Sequence, residues 1–211
     1  QCGAIKADSA QEMIDTSKAL ILLPPLTGDR LGLYSVSGGR ATQMANTMSK
    51  AGFRVPLLSE ASQSVMESRY SSPLINYNNP IESTSFNQFE DFAAGVLDGL
   101  DAAEETDAIV HEWSPQLGAP GSDNDIAREA RMSTMIEFAA RAKKPYIVVI
   151  AERHPMPPAE IIQAVHDRFM AAGIPTFHGL ERAARALRNA RAYGAFLSED
   201  AADDRSAVAG T

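Results

Sequence analysis

Short apolar runs alternate with segments of helical periodicity along this chain of 211 residues, and this alternation constrains its fold most. The clearest run, YIVVIA at residues 146–151, has no charged residue and is typical of a strand buried on both faces of a parallel sheet. Four more strands are predicted, at residues 31–36, 55–58, 107–112 and 174–177. Short connections join them to the intervening helices, so the pattern predicts an α/β domain with a doubly wound, five-stranded parallel sheet.

Helices are predicted around these strands, at residues 9–22, 39–51, 60–70, 86–100, 122–144, 158–172 and 180–193. The first begins with Ser9 and Glu12, which form a capping-box pair. Four of its residues keep helical spacing: Met13, Ser17, Leu20 and Ile21. Residues 71–85 are rich in Ser, Pro and Asn and predict a long loop, a feature that is often functional in compact domains.

Three segments are expected along the chain. Residues 1–28 form a helix and a linker from a preceding domain, and residues 29–197 form the α/β domain. Residues 198–211 are expected to be a disordered tail, because they are acidic and rich in Ala. The chain begins with Gln, which predicts that it is a piece of a longer polypeptide.

Composition excludes several classes of function. A net charge of -8 argues against a nucleic-acid surface, which needs an excess of Lys and Arg. A single cysteine, Cys2, excludes a disulfide framework and a Cys-rich metal site, and the four histidines form no metal-binding motif. No apolar run approaches the ~18 residues of a membrane span, and there is no signal peptide. We therefore expect a cytoplasmic protein without a metal site, a nucleic-acid partner or a membrane contact.

The first predicted strand leads into the turn Ser37-Gly38-Gly39-Arg40, directly before a helix. Glycines let a ligand approach the backbone closely, and a helix N-terminus offers unpaired N–H groups with partial positive charge. Together they predict an anion site, most often one for phosphate, to which Arg40 can add a charge-assisted bond. Two alternatives remain open: a tight turn that binds nothing, and an Arg40 side chain that is only solvated.

Other motifs give less support to catalysis. The segment SVSGG is not the GxSxG elbow of a hydrolase, and neither a GxGxxG fingerprint nor a P-loop occurs. His111 and Glu112 end the third strand, where a His beside a carboxylate suggests acid–base chemistry. Adjacent strand residues face opposite sides of a sheet, so both cannot easily serve one reacting atom. His154 follows the fourth strand in a proline-rich loop.

Three segments together resemble a known family: SVSGGRATQMANTMSKAGFRVPLLSEAS at residues 35–62, NNPIE at 78–82 and GIPTFHGLERAARAL at 173–187. Their order and spacing resemble the C-terminal flavodoxin-like domain of NDP-forming acyl-CoA synthetases, relatives of succinyl-CoA synthetase. The resemblance runs from about residue 3 to residue 196. Glu82 stands where the family usually has Asp, and Arg40 stands where a small residue or Pro is common.

The resemblance implies a flavodoxin-like, three-layer αβα fold and a part in a larger enzyme. That enzyme makes an acyl-CoA from a small organic acid, CoA and ATP through an acyl phosphate and a phosphohistidine. The phosphohistidine docks between two helix N-termini, one of which would follow Ser37, Gly38, Gly39 and Arg40 here. CoA, ATP or ADP and Mg are implied for the whole enzyme, with CoA-binding and ATP-grasp domains on the same chain or another subunit. No cofactor and no catalytic residue is implied for this chain alone, which we expect to be inactive by itself.

Five further residues are candidates for the acyl site or for contact with a partner domain: Asn79, Glu82, His111, Glu112 and His154. Two other functions remain open. One is a non-catalytic regulatory module of a protein acetyltransferase, similar to the synthetase, with Arg40 and Glu82 as marks of lost activity. The other is a scaffold for subunit contacts. Sequence upstream would separate them, because the family's phosphorylated histidine lies on an HTG-type loop that does not occur here.

Overall fold

A computed structural model describes residues 3–35, 37–70, 75–82, 89–114, 124–151 and 157–209. The strands are β1 (Leu31–Ser35), β2 (Ile81–Glu82), β3 (Ala108–Trp113), β4 (Tyr146–Ile150) and β5 (Thr176–His178). The helices are α1 (Ala10–Leu22), α2 (Gly38–Lys50), α3 (Glu60–Arg69), α4 (Phe89–Ala102), α5 (Asn124–Ala139), α6 (Ala159–Ala171) and α7 (Leu180–Ala209). Within these ranges, one helix or a pair of helices separates each strand from the next.

The described strands form a sheet that is parallel throughout, in the order β2-β1-β3-β4-β5. This order confirms the doubly wound, flavodoxin-like fold class that the sequence predicts. β3 lies between β1 and β4, and it pairs Ala108 with Leu31 and Ile109 with Tyr146. Every residue of β4 is buried, as its unbroken apolar run predicts.

Two apolar cores lie on opposite faces of the sheet. Tyr34 and Val148 belong to one core, to which α3, α4, α5 and α6 contribute. Leu33 and Val149 belong to the other, to which α1, α2 and α7 contribute. Neighbouring strand residues alternate between the two faces. Because helices cover both faces, the C-terminal ends of the strands are the natural place for a ligand.

The second strand differs from the sequence prediction. Residues 55–58 form no strand, and Arg54 makes only an isolated parallel bridge with Arg30. The strand β2 lies instead within the segment predicted to be a long loop, where it pairs with Tyr34 and Ser35 of β1.

Asn79 accounts for this difference. Its Nδ2 donates to the carbonyl oxygens of Leu31 (2.7 Å) and Pro56 (2.9 Å), and its Oδ1 accepts from the N–H of Leu33 (2.8 Å). Pro56 has no N–H to contribute to a ladder. A side chain therefore joins this part of β1 to its neighbour, and strand pairing begins only at Ile81.

Helices lie near both ends of the described chain. Ala19 of α1 lies in the same core as α7, so α1 packs on the domain. α7 continues to Ala209, through the segment that the composition predicts to be a disordered tail. Alanine has the highest helix propensity, which favours a helix there. None of the helices in the described part of the chain combines the length and apolar character needed to cross a membrane.

Candidate functional site

The candidate site lies where β1 leads into α2, at the C-terminal edge of the sheet. Ser37 is the N-cap of α2 with an extended backbone (φ -158°, ψ 146°), and its side chain makes no capping hydrogen bond. The N–H of Ala41 donates to the carbonyl of Ser37 (2.8 Å) and so begins the helical bonding. The N–H groups of Gly38, Gly39 and Arg40 therefore have no acceptor within the helix. They are the donors that an anion would meet there.

The two glycines of the turn differ in their surroundings. Gly39 is exposed, and a Cβ built on it would meet no heavy atom within 4 Å beyond its own chain neighbours and helix backbone. A Cβ on Gly38 would overlap Oε2 of Glu82, at the end of β2. Neither glycine has a positive φ. The surface at Gly39 is therefore open to a ligand, whereas the space at Gly38 is filled by a carboxylate.

Arg40 folds back over the sheet. Its Nε donates to Glu112 Oε1 (3.0 Å), its Nη2 pairs with the same carboxylate, and its Nη1 donates to Gln43 Oε1 (3.0 Å). The Arg40 side chain is 20% exposed, and that of Glu112 is fully buried. Glu112 Oε2 accepts a further bond from Ser35 Oγ (2.9 Å). The guanidinium is thus held by protein side chains and is not simply solvated.

One cationic side chain and two carboxylates lie at the turn. Glu112 neutralises Arg40, and Glu82 places a second carboxylate beside the helix N-terminus. The helix dipole stabilises a carboxylate in that position, and the carboxylate in turn repels another anion. An anion at Gly39 would therefore depend on backbone N–H groups and would be repelled by the nearby Glu82 carboxylate.

His111 lies on the opposite face of the sheet from Glu112, as strand alternation predicts. Its Nδ1 is 2.8 Å from the hydroxyl of Tyr146, and its ring stacks on that of Tyr34 with 4.4 Å between centroids. Burial lowers the pKa of His111 to about 3, so the imidazole is neutral at physiological pH. Its Nε2 has no hydrogen-bond partner among the described residues. Both side chains are fully buried and point to opposite faces of the sheet, so the geometry does not bring them to one reacting atom.

Three candidates for the acyl site or a domain contact remain. Asn79 and Glu82 lie within the described residues, and His154 does not. Asn79 is buried, and its amide holds backbone groups together. Glu82 lies at the turn before α2. His154 lies outside the described residues, and so do residues 115–123 and 152–156 of the loops after β3 and β4. Within the described residues, the candidate site is therefore confined to the turn before α2 and its contacts.

Sequence reasoning missed two polar residues at this site, Ser35 and Gln43. Ser35 ends β1 and donates to Glu112, and Gln43 accepts from Arg40 three residues before it on α2. A polar residue at the end of an apolar strand and an i,i+3 polar pair on a helix are signals that the sequence contains. The described residues include no group of three or more His, Cys, Asp or Glu placed to hold a metal ion.

Comparison with known proteins identifies relatives in fold only. No protein-family model and no curated protein matches the sequence. Among solved structures, the crystal structure of PH0766 from Pyrococcus horikoshii OT3 matches with a TM-score of 0.70 at 17% identity. That match covers 92% of this chain and 42% of the other.

Two structures of the dinucleotide forming acetyl-coenzyme A synthetase 1 of Ca. Korarchaeum cryptofilum also match. The apo form has a TM-score of 0.72 at 18% identity and covers 90% of this chain and 39% of the other. The complex with phosphate and ADP has a TM-score of 0.71 at 18% identity. That match covers 93% of this chain and 40% of the other. Likeness at this level of identity shows a shared fold. The chain spans about 40% of the length of these matched structures.

Proposed function

We propose that this chain is a flavodoxin-like domain of an NDP-forming acyl-CoA synthetase, and that the N-terminus of α2 holds a phosphoryl group during the reaction. The observation that carries the proposal is the turn before α2. Three N–H groups there have no helical acceptor, and the surface at Gly39 is open. A helix N-terminus of this kind is a recurring phosphate site. The fold that the chain shares with an acetyl-coenzyme A synthetase supports the same assignment.

In the proposed reaction, a small organic acid, CoA and ATP give an acyl-CoA, ADP and inorganic phosphate, and the phosphoryl group passes through an acyl phosphate and a phosphohistidine. The N–H groups of Gly38, Gly39 and Arg40 donate to the phosphoryl oxygens. Positioning and charge stabilisation of this kind provide most of the catalysis in phosphoryl transfer. The phosphorylated histidine, CoA, the nucleotide and Mg belong to CoA-binding and ATP-grasp domains, in a cytoplasmic enzyme.

The Arg40 side chain acts on the turn in this proposal, and only the backbone N–H of Arg40 contacts the phosphate. Because its Nε and Nη2 groups bond Glu112, it ties the first turn of α2 to β3. A fixed turn keeps the N–H donors at constant spacing, which preorganised stabilisation of a charged group requires. Glu82 and His154 remain proposed contacts with the acyl group or with a partner domain.

A non-catalytic regulatory module of a protein acetyltransferase is the second candidate, and Glu82 favours it. Its carboxylate lies against Gly38, beside the donors that an anion needs. Like charges repel, so Glu82 lowers the affinity of the turn for phosphate. A domain that senses acyl groups without transferring phosphate does not need that affinity.

The test of the proposed function is Gly39→Val in the assembled synthetase, with the CoA-binding and ATP-grasp domains present. The open space around Gly39 accommodates the side chain, but a branched residue covers the donors. We expect turnover to fall by about 100-fold or more, with little change in the thermal midpoint. Ala61→Val is the matched control, because Ala61 is the second residue of α3 and exposed, as Gly39 is in α2. It should keep full turnover.

A folded Gly39→Val enzyme with normal turnover would contradict the phosphate role. If the unmodified assembly forms no acyl-CoA from ATP and any short acid, yet binds acyl-CoA, the regulatory module becomes the better assignment. Turnover and acyl-CoA binding measured on one preparation therefore separate the two candidates.

A further inference from the structure

Helix α1 is amphipathic, but its apolar side faces outward and its polar side faces the domain, which is the opposite of an ordinary surface helix. Its large apolar residues face outward, with exposures of 57% for Met13, 55% for Ile14, 37% for Leu20 and 79% for Ile21. The buried residues of the helix are mostly polar: Glu12, Asp15, Thr16 and Ala19. The stripe that the sequence predicts at helical spacing therefore points away from the core.

Polar contacts hold α1 in this orientation. Asp15 accepts from Nε (2.7 Å) and Nη2 (2.9 Å) of Arg182 on α7. Asn189 of α7 donates to Glu12 Oε1 (3.1 Å) and to Thr16 Oγ1 (3.0 Å). Rolling the helix to bury its apolar side would break these bonds and leave buried α7 groups without partners. The outward position of the apolar residues is therefore specified by the fold.

The outward side of α1 also carries no charge. The exposed residues of the helix are Ala10, Gln11, Met13, Ile14, Ser17, Leu20 and Ile21. Met13 and Ile14 follow Ala10 at i+3 and i+4, and Leu20 and Ile21 follow Met13 and Ile14 at i+7, so these residues share one side of the helix. Beside Leu20, a groove of about 110 Å³ opens between α1 and α7, lined in part by Pro24 and Leu197. We call the four apolar residues Met13, Ile14, Leu20 and Ile21 the α1 stripe.

We infer that the α1 stripe is a docking surface for another domain of the same synthetase, which presents an apolar, uncharged face to it. This inference rests on the proposed function. Four side chains and a small groove fall short of the roughly 800 Å² per partner that a stable complex of free proteins buries. A tethered or co-assembled domain needs less area, because its effective concentration is high. The structurally similar chains extend well beyond the 39–42% that this fold covers, which leaves room for such a domain.

A membrane surface suits the stripe less well. Helices that lie on membranes carry Lys and Arg on a polar face that meets the headgroups. In α1 the polar face is turned inward and bonded to α7, and the outward side has no basic residue. A protein surface is therefore the better match for the stripe.

The experiment measures thiol accessibility on the stripe. In a Cys2→Ser background, Ile21→Cys is alkylated with a maleimide in the isolated chain and in the assembled synthetase. We expect alkylation to be about tenfold slower or more in the assembly. Glu67→Cys, on the exposed side of α3, is the matched helical control, and its rate should agree within about twofold between the two samples.

Each other outcome overturns the inference. Equal Ile21→Cys rates in both samples would show that no domain covers the stripe. Protection in the isolated chain that grows with protein concentration would assign the stripe to a second copy, and protection by phospholipid vesicles would assign it to a membrane. Acyl-CoA formation is measured on the same assembly. An active assembly with a reactive Ile21→Cys variant would refute the docking surface and leave the proposed function intact.

Discussion

Glu112 is the residue on which the candidate turn depends. It is a fully buried carboxylate at the C-terminal part of β3, and its partners Arg40 and Ser35 come from α2 and β1. A buried charge is tolerated only when it is paired and hydrogen-bonded. Glu112 and its two partners therefore connect β3, α2 and β1 at the edge of the sheet that carries the candidate site.

Removal of Arg40 should test this dependence. Arg40→Ala leaves the Glu112 carboxylate buried without its cation, and we expect the free energy of unfolding to fall by about 2–4 kcal/mol. Adding Glu112→Gln to that variant should recover most of the loss, because a neutral amide can still bond Ser35. Urea denaturation of the wild type, both single variants and the double variant gives the coupling free energy between Arg40 and Glu112. An Arg40→Ala chain within about 0.5 kcal/mol of the wild type would show that the pair does not hold the turn.

His111 should make stability depend on pH. Burial lowers its pKa from 6.5 to about 3, so between these values the unfolded chain binds a proton that the folded chain does not. The free energy of unfolding should therefore fall as pH falls below about 6.5, by at most ~1.4 kcal/mol per pH unit from this group. Above that pH the group should have no effect.

Urea denaturation between pH 7 and pH 4 measures this dependence. His111→Phe should give a shallower decline with acid than the wild type. Tyr146→Phe is the control, since it removes the hydroxyl next to Nδ1 but keeps the titrating ring, and so keeps the steeper decline. Parallel curves for wild type and His111→Phe would contradict the assignment of a neutral buried imidazole.

At the scale of elements, one side chain decides where β2 lies. The side-chain amide of Asn79 forms hydrogen bonds with three backbone groups, and the residue is 4% exposed. Its loss would leave the N–H of Leu33 and the carbonyl of Leu31 without that partner in a buried environment. Groups of this kind cost about 1–3 kcal/mol each when they are left unsatisfied.

Asn79→Ala should therefore destabilise the domain by about 3 kcal/mol or more, as measured by chemical denaturation. Asn76→Ala is the matched control, because Asn76 is exposed and its Oδ1 accepts only a local bond from the N–H of Asn78 (2.9 Å). It should change the stability by less than about 1 kcal/mol. Similar effects for the two variants would show that Asn79 does not organise the edge of the sheet.

For the whole molecule, the proposed role requires other domains. The chain spans about 40% of the length of the synthetase structures that share its fold, and its sequence contains no nucleotide-binding motif. We expect the purified chain to fold and to form no CoA thioester when it is supplied with ATP, Mg, CoA and short organic acids. Thioester formation is followed by chromatography, with the assembled synthetase as the positive control. ATP-dependent thioester formed by the chain alone would show that an active histidine had been overlooked.

The sequence by itself determined the class of the fold and the location of the turn. An unbroken apolar run identifies β4 as a central parallel strand, and period-two alternation separates His111 from Glu112 before any contact is known. Gly38 and Gly39 mark the helix N-terminus in the same way. These features are local, since each depends on residues a few positions apart.

Only the tertiary structure decided how these elements are joined. Asn79 meets Leu33 across 46 positions, Arg40 meets Glu112 across 72, and Arg182 meets Asp15 across 167. These three contacts place β2, take Arg40 away from solvent and turn the apolar side of α1 outward. A periodic pattern shows which residues share a face of a helix or strand. Which face is buried depends on the elements that pack against it, and here polar partners on α7 outweighed the apolar stripe of α1.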